Sequence, residues 1–236
     1  MTFPSEIFDF ARSRRLDPRI TFGRATVRTY VDRSGLLVQL PAFEPAFETD
    51  PDTGAPLGLS LWASAAPGTR SNTDFANATN WTIGSPADAA VTADSGLSPA
   101  GDTTMDSLSE ASVAAAVHDV WQTTSGALYR PAIASCFSVF AGRSATAPCV
   151  ELRVENSGTP GNAYFCAFDA QTGQMGTPTA IGSGTVSGAG VEYYRQSDCY
   201  RFWVAGTPGG GGLISKTRLA LQKTLAGGTL YAGDLT

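Results

Sequence analysis

CVELRVE, residues 149–155, alternates apolar and charged side chains over the length of a whole strand. Val150, Leu152 and Val154 take every second position, and Glu151, Arg153 and Glu155 take the positions that alternate with them. Because successive side chains of a strand point to opposite faces, this pattern predicts a strand with one buried and one polar face. The two glutamates beside Arg153 then predict a charged ladder on the polar face.

Similar alternating runs surround this segment: IASCFSVFAG (133–142), AYFCAF (163–168), DCYRFWVAG (198–206) and LISKTRLAL (213–221). Turns rich in Gly and Pro separate them. Many short strands with such turns are typical of an antiparallel sandwich or jelly roll, so we predict an all-β fold. One segment leaves an alternative open, because the alanines of SLSEASVAAAV (107–117) also favour a helical turn.

The start of the chain has a different pattern. Residues 5–15 predict a short helix, and residues 20–40 predict a β-hairpin that turns at DRSG. DPDTGAPLG, residues 50–58, has the composition of a plain turn, although its acidic spacing has a slight similarity to a calcium loop. We therefore predict an N-terminal arm over residues 1–55 and a jelly-roll domain over residues 56–236.

Composition and charge exclude several classes of protein. With 236 residues, 42% hydrophobic and 16% charged, the chain can bury a core. A net charge of −5 argues against a nucleic-acid binder, whose affinity comes mostly from neutralising phosphates. The first residues, MTFPSEIFDFARSRR, do not have the pattern of a signal peptide, and no run approaches the ~20 apolar residues of a membrane span. We expect the protein to be made in the cytoplasm.

The sequence predicts neither a metal site nor a cofactor. The four cysteines have no CxxC spacing and the chain has a single histidine, so a zinc site is disfavoured and the cysteines are predicted to be free thiols. His118 has the pattern of a strand residue, and neither GxSxG nor HExxH is present. We therefore predict that the protein is not an enzyme. Hydrolysis by a carboxylate pair stays open, because such pairs meet only in three dimensions.

Trp203 is the leading candidate for a binding residue. It is out of phase with the apolar stripe of its own strand and stands two positions from Arg201. Sugars stack on exposed aromatic faces while charged neighbours bind their hydroxyls, so we predict a glycan site at Trp203 and Arg201. Glu151 and Arg153, expected on a neighbouring strand, would complete it. The alternative is that Trp203 belongs to the core on the second face of a two-sided sheet.

The arm combines apolar and basic residues in excess of what a free tail needs. We predict that it makes an attachment or subunit contact, with a solvated arm as the alternative. The predicted contact residues are Ile7, Phe8, Phe10, Arg14, Arg15 and Arg24.

A series of segments then resembles, in the correct order, a module of bacteriophage virion proteins. The segments are ITFGRATVRTYVDRSGLL (20–37), PAFETDPDTGAPLGL (45–59), TDFANATNWT (73–82), SPAGDTTMDSLSE (98–110), SCFSVFAG (135–142), YRQSDCYRFWVAG (194–206) and LYAGD (230–234). Similar patterns occur in head-spike, fibre and minor tail proteins of tailed phages, prophages and gene transfer agents. In that module an acidic LLIExxRTNL run stands where this chain has LSLWASAAPGTRSN (59–72).

The resemblance implies a jelly roll of the carbohydrate-binding-module type, with no catalytic residues. We expect a virion structural protein, a head spike or fibre component, that contributes to recognition of host-surface glycans. The alternatives are a purely structural capsid-decoration or tail protein without a ligand, and a capsule depolymerase. The implied partners are other virion proteins, further copies of the chain (a trimer first, a pentamer second) and host cell-surface polysaccharide.

The same pattern continues with a closing strand after LYAGD. We expect a last strand over Leu225–Tyr231 whose open edge is covered by another chain. Two alternatives stay open: the N-terminal hairpin occupies this place, or the sheet has one strand fewer.

Overall fold

A computed structural model of the protein describes residues 13–16, 18, 20–24, 27–60, 74–112, 115–125, 133–143, 149–159, 161–212, 214–227 and 231–232. These residues are all-β with antiparallel pairing, and they contain no helix of seven residues or more. The predicted fold class is confirmed at this level. None of the described helices is long and apolar enough to cross a membrane.

The described strands are numbered in chain order. They are β1 (Arg28–Val31), β2 (Leu37–Leu40), β3 (Phe47–Thr49), β4 (Pro56–Leu59), β5 (Thr82–Ile83), β6 (Ala89–Gly96), β7 (Met105–Glu110), β8 (Ala115–Ala116), β9 (Asp119–Ser125), β10 (Ser135–Gly142), β11 (Cys149–Asn156), β12 (Ala163–Asp169), β13 (Thr179–Ile181), β14 (Thr185–Tyr194), β15 (Cys199–Thr207), β16 (Ile214–Gln222) and β17 (Tyr231–Ala232). A short 3₁₀ helix, Arg195–Ser197, joins β14 to β15.

Two larger sheets form the body. One has three strands in the order β10-β15-β14, and the other has six in the order β13-β12-β11-β16-β9-β5. Four further two-stranded sheets are β1-β2, β3-β4, β6-β7 and β17-β8. Five long strands, β10, β11, β12, β15 and β16, begin and end within two residues of the bounds that the alternation predicts.

One hydrophobic core takes side chains from both larger sheets. Leu152 and Val154 of β11 belong to the same buried cluster as Phe202 and Val204 of β15. Phe168 of β12 stacks on Phe202 at 4.8 Å between ring centroids, so the two sheets meet through aromatic rings. Because each strand alternates, the side chains between these core residues point away from the core on both sheets.

The N-terminal hairpin is present but shorter than predicted. β1 and β2 pair antiparallel over Arg28–Leu40, and Oδ1 of Asp32 accepts hydrogen bonds from the amides of Ser34 and Leu36 at 2.8 and 3.1 Å. The turn is therefore the predicted DRSG segment. Residues 20–24 are not strand. The hairpin packs on the body, because Val31 forms a buried cluster with Tyr194 and Cys199.

The next segment is the plain turn that the sequence predicts. Asp50 accepts backbone hydrogen bonds from Asp52 and Thr53 at 3.0 and 2.8 Å through Oδ1. It joins β3 to β4. The amide of Arg195 donates to the carbonyl of Pro51 at 3.2 Å, which ties this turn to the 3₁₀ helix of the body.

The structure also bears on four other predictions: the helical alternative, the last strand, the place of the N-terminal hairpin and the N-terminal helix. The helical alternative for residues 107–117 is wrong where the chain is described, because β7 and β8 occupy it. Residues 223–226 form bends and turns, so no strand begins at Leu225; β17 is short and pairs with β8. The N-terminal hairpin joins neither larger sheet. Most of the predicted helix over residues 5–15 lies outside the described residues; of those described, Ser13 is helical and Arg14 has a φ of 47°, which is not, so the helix stays a prediction.

Candidate binding surface

The three-stranded sheet places Trp203 on its outward side. β15 is the central strand, and Phe202 and Val204 on either side of Trp203 are fully buried in the core. Alternation therefore directs the indole away from the core, and its side chain is half-buried. This is the phase that the sequence predicts: among the described residues, Trp203 does not belong to the buried hydrophobic core.

The indole lies flat across two glycines of the adjacent strand. A Cβ on Gly190 would lie 2.7 Å from Nε1, Cε2 and Cζ2 of Trp203, and a Cβ on Gly188 would lie 3.3 Å from Cζ3. Both glycines have ordinary negative backbone φ angles, so it is the close approach of the ring that requires them. One ring face is thus held against β14, while the side chain as a whole keeps part of its surface accessible to solvent.

The residues around the ring on this side of the sheet are small. Trp203 pairs with Ser138 of β10 and with Gly190 of β14. In the next row outward, Ala205 pairs with Cys136 and Gly188. Among the described residues, the register neighbours of the indole in these two rows are therefore Ser, Ala, Cys and Gly, whose side chains are much smaller than the ring.

The row on the other side of Trp203 carries the charged groups. Arg201 pairs with Glu192 of β14, and its Nη1 lies 3.2 Å from Oε2 of Glu192. The side chains of Arg201 and Glu192 are 35% and 43% exposed. Donors and acceptors therefore stand together beside the indole, and both are accessible to solvent. We call this outward side of the β10-β15-β14 sheet the Trp203 face.

The remaining end of the Trp203 face is covered. Tyr194 and Cys199 lie one row beyond the ion pair, and Val31 of the N-terminal hairpin packs on them. Phe140 packs edge-to-face on Tyr194 at 5.1 Å. Only the part from Arg201 towards Ala205 is left for a ligand.

Glu151 and Arg153 do not join Trp203 and Arg201. They lie on β11, which belongs to the six-stranded sheet, whereas the neighbours of β15 are β10 and β14. Because both sheets face the same core, their outward sides look in opposite directions. The expectation that the four residues share one surface is wrong: alternation predicts on which side of a strand a residue lies, but not which strand is next to it.

Glu151 and Arg153 belong instead to a network of ion pairs. Glu151 Oε1 lies 2.8 Å from Nε of Arg153 and 3.9 Å from Nη2 of Arg218. Arg218 Nε lies 3.6 Å from Oδ2 of Asp119, and Lys216 Nζ lies 3.2 Å from a carboxylate oxygen of Glu155. We call this outward side of the six-stranded sheet the charged face. The members of its network are Asp119, Glu151, Arg153, Glu155, Lys216 and Arg218.

The charged face is largely shielded from water. The side chain of Glu151 has no exposed surface, and those of the other five members are between 5% and 22% exposed. A Cβ on Gly227 would lie 2.8 Å from Oε2 of Glu151, which shows that the turn after β16 passes over this carboxylate. Two of the cations also lie over aromatic rings: Arg153 over Phe165 at 4.7 Å and Lys216 over Trp121 at 4.4 Å.

Burial has a direct effect on Asp119. Loss of water raises the pKa of its carboxyl group above the ordinary value, and the nearby Arg218 and Lys216 only partly oppose this. A buried acid with a raised pKa is a feature of some active sites. Here, however, Asp119 belongs to an ion-pair network and is almost inaccessible, so this feature does not by itself indicate catalysis.

The predicted contact residues of the arm divide into two groups. Ile7, Phe8 and Phe10 lie outside the described residues. Arg14 and Arg24 bind the chain's own backbone: Nη2 of Arg14 donates to the carbonyl of Phe47 at 2.7 Å, and Nη2 of Arg24 donates to that of Pro41 at 2.5 Å. Arg15 is exposed. An external contact stays a prediction for Ile7, Phe8, Phe10 and Arg15, whereas Arg14 and Arg24 have partners within the chain.

The sequence reasoning missed four residues of the Trp203 face: Ser138, Gly188, Gly190 and Glu192. Gly188, Gly190 and Glu192 lie on β14. The sequence did not predict this strand, because glycine has low strand propensity. The useful signal was the run TVSGAGVEYY (185–194), where Val, Glu and Tyr surround small residues directly before the tryptophan strand.

Neither protein-family models nor curated proteins give a match to this chain. The described residues contain no group of three or more His, Cys, Asp and Glu side chains that could hold a metal ion. The four cysteines are free thiols, with Cys136 exposed at the margin of the Trp203 face.

Proposed function

We propose that the protein is a structural component of a phage-type virion, a head spike or fibre, and that its jelly-roll body contributes to recognition of a host-surface glycan. The virion assignment rests on the ordered series of segments that resembles virion modules. The glycan assignment rests on one observation: a half-buried indole lies flat on two glycines, beside an accessible Arg201–Glu192 pair. An aromatic face with adjacent donors and acceptors is what a sugar ring needs.

Binding of host cells or purified capsular polysaccharide by the purified protein tests the glycan assignment. Trp203→Ala should abolish binding while the melting temperature falls by only a few degrees, because the indole is outside the core. Phe202→Ala, in the same strand, is the matched control for a core residue and should unfold the protein at a much lower temperature. Unchanged binding by Trp203→Ala would contradict the assignment.

The virion assignment has an independent test. Particles from a lysate of the bacterium that carries the gene, purified on a density gradient, should contain the chain in a fixed copy number by quantitative mass spectrometry. We expect that copy number to be a multiple of three, in agreement with a trimer. Absence of the chain from intact particles would contradict the assignment without affecting the binding result.

A second candidate function, a virion part without a ligand, is favoured by the apolar residues that the N-terminal region exposes. Val27, Phe43 and Leu57 are 59%, 66% and 61% exposed. Phe43 has a φ of 67°, in the left-handed region that is costly for an aromatic residue. Arg24 stabilises this turn by donating to the carbonyls of Pro41 and Glu44. A displayed aromatic residue of this kind is suited to a contact between subunits.

A further inference from the structure

We infer that the ligand of the Trp203 face is an uncharged pyranose unit, bound flat on the indole, and not a polyanionic chain. This inference rests on the proposed glycan recognition and specifies its substrate class. It follows from the charge balance and the spacing of the Trp203 face.

The spacing suits a single sugar ring. Arg201 and Trp203 stand two positions apart on β15, which separates their Cα atoms by about 7 Å. A pyranose stacked on the indole therefore brings hydroxyls at its edge to the Arg201–Glu192 pair. Ser138, directly across from Trp203 on β10, adds a hydroxyl on the other side of the ring.

The charge balance argues against an acidic ligand. In β10, β14 and β15, whose residues are all described, the outward side carries one cation and one anion, Arg201 and Glu192. Their side chains lie 3.2 Å apart, so the charge of Glu192 offsets that of Arg201 and an incoming carboxylate or phosphate would meet no net positive charge from this pair. The chain as a whole has a net charge of −5, which adds a weak long-range repulsion.

A neutral sugar can use both partners of the same pair. Arg201 donates to one hydroxyl oxygen, while Glu192 accepts from a neighbouring hydroxyl group. Arg201 and Glu192 stay paired with each other when the sugar binds. Binding therefore releases no salt ions into solution. Affinity should therefore depend on the stacking surface and hardly at all on salt concentration.

Isothermal titration calorimetry with two matched sets of oligosaccharides tests this inference. The neutral set contains gluco-, galacto- and mannooligosaccharides, and the acidic set contains oligogalacturonate and oligosialic acid, each in 50 and 300 mM NaCl. We expect at least one neutral ligand to bind with an affinity that changes less than twofold between the two salt concentrations. Trp203→Ala should weaken this binding at least tenfold.

Two further variants make the result specific to the Trp203 face. Glu192→Gln leaves Arg201 without its anion, so it should raise the affinity for the acidic set severalfold. Trp121→Phe changes a tryptophan on the charged face and should alter neutral binding less than twofold. Circular dichroism at the binding temperature verifies that each variant is folded, and Arg201→Gln replaces Trp203→Ala if the latter is not.

The outcomes separate the inference from the proposed function. Salt-sensitive binding of the acidic set that requires Trp203 would overturn the inference and leave glycan recognition standing. Absence of binding in both sets would overturn the inference and glycan recognition together. Neutral binding that tolerates Trp203→Ala but not Trp121→Phe would place the sugar on the other side of the molecule, and would also overturn the inference.

Discussion

The two outward faces of the body use charged residues in opposite ways. The network on the charged face contains three cations and three anions, all at most 22% exposed, and each contacts an opposite charge. The Trp203 face has one exposed ion pair and an aromatic ring lying on glycine. Buried charges must be satisfied within the protein, whereas exposed groups remain available to a ligand. The comparison therefore indicates a structural role for the charged face, and it leaves the charged groups of the Trp203 face accessible for the proposed ligand.

The largest effect is expected from Glu151→Ala on the charged face. Arg153 and Arg218 stand directly opposite each other on paired strands, and Oε1 of Glu151 lies near both. Removing it leaves two shielded guanidinium groups facing each other with less compensation. The free energy of unfolding should fall by about 3–5 kcal/mol in urea titrations.

The matched control is Glu192→Gln on the Trp203 face. Its ion pair with Arg201 is exposed, so the same measurement should show a loss of at most about 1 kcal/mol. Equal losses from the two glutamate variants would refute the division between a structural and a binding face.

A smaller effect is expected where the two glycines support the indole. Gly190→Ala places a methyl group 2.7 Å from three atoms of Trp203, so the ring must move, at a cost of about 1–3 kcal/mol. Gly188→Ala has a nearest ring distance of 3.3 Å and should cost less. Urea unfolding gives the stability difference, and tryptophan fluorescence reports the displacement of the ring. If Gly188→Ala were the more damaging variant, the ring would not be held as described.

The sequence predicted which residues of a strand face the core but not which strands are neighbours. Alternation in CVELRVE and DCYRFWVAG correctly separated Leu152 and Phe202 from Glu151 and Trp203. Strand order depends on pairings between distant segments, such as β11 with β16 and β10 with β15, which no local pattern contains. For this reason Glu151 was expected beside Arg201, although the two residues lie on opposite sides of the body.

Local sequence patterns also did not predict two other properties of these faces, the burial of Glu151 and the strand β14. Glu151 was expected on a polar surface because carboxylates are usually exposed, yet it is completely buried under the turn that contains Gly227. The strand β14 was missed because Gly188 and Gly190 weaken its strand signal. In both cases the residue type is explained by a tertiary neighbour: two arginines for Glu151, and the ring of Trp203 for the glycines.

The smallest expected effect concerns the pH dependence of the charged face. Burial raises the pKa of Asp119 in the folded protein above its ordinary value of about 3.9, so the folded state binds a proton more readily than the unfolded state. The stability that this proton contributes is fully present below the ordinary pKa and is lost as pH rises through the folded pKa. The unfolding free energy of the natural protein minus that of Asp119→Asn should therefore increase as pH falls from 7 to 4, by no more than about 1.4 kcal/mol per pH unit. Urea unfolding of both proteins at four pH values measures this difference.

A difference in unfolding free energy that decreases on acidification would mean that attraction to Arg218 outweighs the effect of burial on Asp119. The charged face would then contribute stability through ionised Asp119, and its network would be a net source of stability at neutral pH.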